Sequence, residues 1–73
     1  MDIKMNPYTG GQYTVFQKGK KYFYADCSYV PYTGMETMIF HCDKDGEVTN
    51  WSEVYCDRSG KSLRECVEEF LAE

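Results

Sequence analysis

Up to residue 56 apolar and polar side chains alternate with a period of two; after it the period becomes helical. Residues 12–18 read as a strand, with Tyr13, Val15 and Gln17 on one face and Thr14 and Phe16 on the other. A turn at Lys18-Gly19-Lys20 leads into a longer strand over 20–30. Phe23, Ala25, Cys27 and Tyr29 share one of its faces; Tyr22, Tyr24, Asp26 and Ser28 share the other. The next strand covers 36–43, with Met38, Phe40 and Cys42 together. Lys44-Asp45-Gly46 supplies a hairpin turn whose glycine accepts positive φ. In the last strand, 47–56, the apolar positions Val48, Trp51, Val54 and Cys56 break the alternation, so a bulge is expected near residues 50–52. A short edge strand is expected at 2–5.

Pairing 20–30 with 36–43 about a centre near residue 32 sets Phe23 against Cys42, Ala25 against Phe40 and Cys27 against Met38. Apolar then meets apolar three times, as one buried face requires. A slip of one residue would put Phe23 against His41. At the C-terminal end, Ser62 and Glu65 form a capping box. Leu63, Cys66, Val67, Phe70 and Leu71 follow at i, i+3, i+4, i+7 and i+8, an apolar stripe on a helix over 63–72. The stripe is expected to cover the Phe23/Phe40 face, leaving Tyr22, Tyr24, Ile39 and His41 on the open one. The pattern predicts an α+β fold. An antiparallel β-meander of four to five strands carries one C-terminal amphipathic helix on one face, in a single small domain over 1–73.

With 73 residues the chain has a thin core, burying only about 60% of its unfolded surface. Large enzyme folds and repeat arrays are excluded by length. Aromatic residues make up 16% of the chain, too many for a disordered one. The net charge of −4 is unevenly placed: residues 1–34 carry +2 and residues 35–73 carry −6. No apolar signal region follows Met1, and the longest apolar runs, such as Met38-Ile39-Phe40, are far too short to span a membrane. A reducing cytoplasmic location is therefore expected.

Cys27, Cys42, Cys56 and Cys66 contain no close pair of the kind that starts a structural zinc site. In the register above no two of them face each other, and all four fall on core positions, so they read as free, buried thiols. His41 and Cys42 are adjacent in a strand and point to opposite faces, a poor nucleophile pair. Asp43-Lys44-Asp45-Gly46 lacks the glycine position and twelfth-place glutamate of a calcium loop and reads as a hairpin turn. The chain is not expected to be an enzyme or to hold a cofactor or metal.

Two features point to binding instead. The carboxylates Asp43, Asp45, Glu47, Glu65, Glu68 and Glu69 concentrate negative charge, part of it at a helix C-terminus where the dipole disfavours it. Seven tyrosines and one tryptophan exceed what such a core can enclose; Tyr22, Tyr24, Tyr8 and Tyr32 are candidate anchors, the last two in the repeated turn Pro-Tyr-Thr-Gly at 7–10 and 31–34. In size, acidity, strand-rich body with one helix and lack of a catalytic set, the chain resembles the small phage and mobile-element proteins that block bacterial defence, the anti-CRISPR inhibitors. The resemblance implies that Glu65, Glu68, Glu69, Asp43 and Asp45 mimic nucleic acid. The expected partner is a larger host protein with a basic surface. The alternative is a nucleic-acid binder through Lys18, Lys20, Lys21, Tyr22 and Tyr24, although the domain is acidic overall. The chain would act as a monomer or, through an exposed tyrosine face, as a homodimer or structural module.

Overall fold

The computed structural model describes residues 1–73. Five strands, β1 (Lys4–Met5), β2 (Gln12–Lys18), β3 (Lys21–Val30), β4 (Gly34–Cys42) and β5 (Val48–Asp57), are followed by the helix α1 (Leu63–Ala72). The strands form one antiparallel sheet in chain order. The fold is α+β, and the helix lies across β2 and β3.

The β3–β4 register differs by one residue from the sequence expectation. Phe23 faces His41, Ala25 faces Ile39 and Cys27 faces Thr37. The turn explains the slip. Val30 pairs with Gly34, closing a three-residue connection in which the Thr33 amide donates to the Val30 carbonyl at 3.2 Å. Tyr32 sits at its centre with φ 74°, a left-handed conformation that few bulky residues adopt. Loop geometry sets hairpin register, and a shift of one position exchanges the faces of the whole strand. Ile39 and Thr37 are therefore the residues of β4 buried against the helix, while Met38, Phe40 and Cys42 lie on the face away from it. Ile39 and His41, expected on the open face, lie on the helix side, and the His41 ring stands 4.9 Å from that of Phe23.

Phe23, Ala25, Cys27, Ile39, Leu63, Val67 and Phe70 form the core cluster, with Ile3, Phe16 and Tyr55 packed around it. Phe70 is its hub: its ring meets Phe16 at 5.8 Å, Phe23 at 4.9 Å and Tyr55 at 6.1 Å, all at steep edge-on angles. Leu71, the last member of the apolar stripe, is exposed. Cys27 and Cys66 are buried in the helix–sheet layer, Cys42 is buried on the opposite face, and Cys56 there is only half-buried, which corrects the expectation of four thiols in one core. The β5 ladder slips between the positions opposite Ile39, His41 and Cys42, so the segment from Asn50 to Tyr55 bulges, as the broken alternation predicts.

Both helix ends are capped. Ser62 Oγ accepts from the Glu65 amide at 3.2 Å and donates to the Glu65 carboxylate at 3.1 Å. The last turn carries no basic residue of its own. Lys18, at the end of β2, fills that role: its ammonium donates to the Phe70 carbonyl at 2.7 Å and lies 4.7 Å from the centre of the Phe70 ring. One cation thus satisfies a terminal carbonyl and opposes the negative end of the dipole.

Replacing Lys18 with Met keeps the aliphatic stem and removes the charge. It is expected to cost roughly 1–2 kcal/mol, read as a lowered midpoint in urea unfolding. An unchanged midpoint would show that the helix end needs no cation.

Candidate functional site

The face away from the helix carries a row of aromatic rings, one from each of four strands. Tyr13 of β2 stacks on Tyr24 of β3 at 5.4 Å with the rings 14° apart. Tyr24 is the cross-strand partner of Phe40 on β4. Phe40 in turn meets Trp51 of β5 edge-on at 5.8 Å. The bulge explains the last contact. Trp51 has left the regular ladder and lies against Phe40 while 75% exposed. A contiguous apolar stripe in contact with water is costly for a small domain and marks a contact surface.

Two loops rise over this face. The 6–11 loop is tied by five hydrogen bonds: Asn6 Oδ1 accepts from the Tyr8 and Thr9 amides at 2.9 and 3.4 Å, the Asn6 amide donates to the Gly11 carbonyl at 2.7 Å, Gly10 donates back to Asn6 at 2.8 Å, and the Gly11 amide donates to Thr9 Oγ1 at 3.2 Å. It holds Tyr8 95% exposed at its tip. The 43–47 hairpin is tied as firmly. Asp43 Oδ1 accepts from the Asp45 and Glu47 amides at 2.9 and 3.0 Å, and the Asp43 amide donates to the Glu47 carbonyl at 2.9 Å. Gly46, at φ 86°, seats the hairpin on the sheet: a Cβ there would stand only 2.9 Å from Val15 Cγ2. Between the loops lies a cleft of about 400 Å³ lined by Lys4, Asn6, Tyr8, Tyr13, Tyr24 and Asp45, among others.

The carboxylates singled out from the sequence do not form one cluster. Asp43, Asp45 and Glu47 belong to the hairpin over the aromatic face, whereas Glu65, Glu68 and Glu69 lie on the helix across the sheet. Several are already engaged. Asp43 holds its turn, Glu65 completes the helix cap, and Glu69 takes both oxygens to Lys61 at 2.9 Å. Asp45, Glu47 and Glu68 make no internal side-chain hydrogen bond or ion pair.

Tyr22 and Tyr24 share the aromatic face, Tyr8 overhangs the cleft, and Tyr32 is fully exposed on the β3–β4 turn. The basic set is divided: Lys18 is committed to the helix end, while Lys20 and Lys21 border a shallow notch with Tyr22, His41 and Asn50. Sequence reasoning missed Tyr13, Phe40 and Trp51 as members of the face. For Trp51 the signal was present, since an apolar side chain out of phase in a strand marks a bulge.

Several ionisable groups are perturbed. Burial pushes the Asp26 carboxyl up, and one of its oxygens is enclosed with no hydrogen-bond partner, between Tyr13 and Met38 in register. Burial first, then Asp26 and Tyr13, raises the Tyr24 phenol, so its ring is neutral at physiological pH. Tyr55 donates to Asp57 at 2.9 Å, which with burial pushes its phenol up to about 12. Two bonds from Ser59, hydroxyl and amide, hold Asp57 below the usual carboxylate range. Glu36 is buried and paired with Arg58 at 3.2 Å; it also accepts the Cys56 thiol at 3.7 Å. Burial raises the thiols of Cys42, Cys56 and Cys66, which keeps them protonated and weakly nucleophilic. No three His, Cys, Asp or Glu side chains are grouped to hold a metal ion, and no helix is long and apolar enough to cross a membrane.

No protein family, curated protein or solved structure matches the chain.

Asp26 binds its proton more tightly folded than unfolded, so it lowers stability as pH rises from the ordinary carboxylate range through the raised native value. Asp26→Asn is therefore expected to stabilise the fold at neutral pH, with the gain fading as the pH is lowered through that window. Urea midpoints of both proteins across the pH range check this; a neutral or destabilising effect at pH 7 contradicts it.

Proposed function

We propose that the chain is a non-enzymatic binding domain that holds a basic surface of a larger protein against the helix-free face of its sheet. The observation that carries this reading is the four-ring row with unpaired carboxylates at its rim. Asp45 and Glu47 on the hairpin and Glu53 on the bulge are exposed and without ion-pair partners. Of the cations on this side, Lys4 is paired with Asp2 at 3.8 Å and Arg58 with Glu36; Lys44 is unpaired on the hairpin itself, and Lys20 and Lys21 border the notch beside Tyr22. Aromatic rings surrounded by negative charge suit a surface rich in arginine and lysine, whose cations gain from ring faces and carboxylates together.

The tyrosine and tryptophan rings supply the area that anchors a complex, and rigid loops reduce the ordering cost of forming it. Glu65, Glu68 and Glu69, across the sheet, add to the field that speeds encounter but do not share the contact surface. The narrower form of the reading makes the basic surface a nucleic-acid channel of the kind that phage-borne anti-defence proteins block. It rests on the same acidic rim. Direct nucleic-acid binding is the weaker reading, because Lys18 serves the helix and the remaining lysines face a notch apart from the aromatic row.

Trp51 is the single tryptophan and lies on the proposed surface, so its fluorescence reports contact directly. Titration with short arginine- and lysine-rich peptides is expected to shift its emission to the blue, with affinity falling at least about tenfold between low salt and about 0.3 M. Trp51→Ala is expected to weaken binding, measured by anisotropy of a labelled peptide, by roughly 1–3 kcal/mol. Salt-independent affinity, or binding of single-stranded oligonucleotides with none of basic peptides, would overturn the proposal.

A further inference from the structure

The cleft between the 6–11 loop and the 43–47 hairpin is more specific than the face around it, and its chemistry names the group it takes. Its floor is the Tyr13/Tyr24 stack beside Val15; Tyr8 and Pro7 form one wall, and Asp45 and Gly46 the other. Resting on the reading of the helix-free face as a surface for a basic partner, we infer that this cleft receives one arginine side chain of that partner. The guanidinium joins the tyrosine stack and pairs with the Asp45 carboxylate.

Three observations carry the inference. The first is ring geometry. Tyr13 and Tyr24 are 14° from parallel, a layered arrangement that a planar guanidinium extends as a further layer. A methylated ammonium is spherical and is held by aromatic rings that surround it, which two near-parallel rings do not do. The second is charge. The Asp45 side chain is exposed and unpaired, because the turn is held by Asp43 and Asp45 contributes only its backbone amide to it. Asp26, the cross-strand neighbour of Tyr13, adds negative potential beside the stack. The one cation lining the cleft, Lys4, has Asp2 as its own counter-charge at 3.8 Å. The third is rigidity. The backbones of both walls are hydrogen-bonded within themselves, and Gly46 is seated against Val15, so the two loops that frame the cleft are fixed before any ligand arrives. A volume of about 400 Å³ accommodates one long side chain.

The test uses the full chain with two short basic peptides identical except that one carries arginine where the other carries lysine, and with N-acetyl-arginine methylamide as the isolated group. Binding is followed by two-dimensional NMR, which reports Tyr8, Tyr13, Tyr24 and Asp45 separately from Trp51. The arginine peptide is expected to bind at least about fivefold tighter than the lysine peptide. Asp45→Asn, an exposed substitution, is expected to remove most of that preference, and arginine methylamide is expected to give saturable millimolar shifts confined to the cleft. If both peptides bind equally and shift Trp51 while Asp45→Asn changes nothing, the arginine cleft is overturned and the wider reading stands. If arginine methylamide saturates the cleft but neither peptide binds, the cleft stands and the wider reading falls. Absence of saturable binding by all three probes overturns both.

Discussion

The three residues that turn β3 into β4 decide which side of the sheet every ring occupies. With Val30 opposite Gly34, the odd-numbered residues of β4 face the helix and the even-numbered ones face away. Ile39 then fills the layer beneath Leu63 and Val67, and Phe40 stands out beside Tyr24. Had the turn been one residue longer, Phe40 would sit in the core, Ile39 would be exposed, and the aromatic row would be broken at its centre. The strained centre of the turn, Tyr32 at positive φ, is thus tied to the surface that the whole sheet presents.

The helix side supplies the stability that lets the other side remain open. A chain of this size has little surplus, so its one helix must be anchored along its stripe and at both ends. The stripe ends on Phe70, which three other rings surround, and Lys18 closes the helix over the same residue. A lysine whose neighbours in sequence suggest a basic recognition hairpin is instead part of the fold. Lys18 therefore sits on the helix side of the sheet and takes no part in the charge of the opposite face.

Much of this was legible along the chain because it is local. The helix start is written in Ser62 and Glu65 and its buried face in the spacing from Leu63 to Phe70. The bulge in β5 is written in the spacing of Val48, Trp51 and Val54. The outward placement of Tyr22 and Tyr24 follows from strict alternation in β3. The β3–β4 register was not legible, because apolar matching favours setting Phe23, Ala25 and Cys27 against Cys42, Phe40 and Met38, whereas the observed register sets them against His41, Ile39 and Thr37, and only the middle pair is apolar on both sides. Turn geometry decides between them, and a Pro-Tyr-Thr-Gly stretch does not state its own length. The site lies further from view. Lys18 and Phe70 are 52 positions apart, and the cleft forms only when two loops from distant strands fold over one face.

The claim on which the binding account stands is the placement of Phe40 and Ile39 on opposite faces. Nuclear Overhauser contacts of these two side chains in solution decide it. The account predicts contacts from the Phe40 ring to Trp51 and Tyr24, and from the Ile39 methyls to Leu63 and Val67. Contacts from Phe40 to Val67 or Phe70, with Ile39 touching neither helix residue, would contradict it.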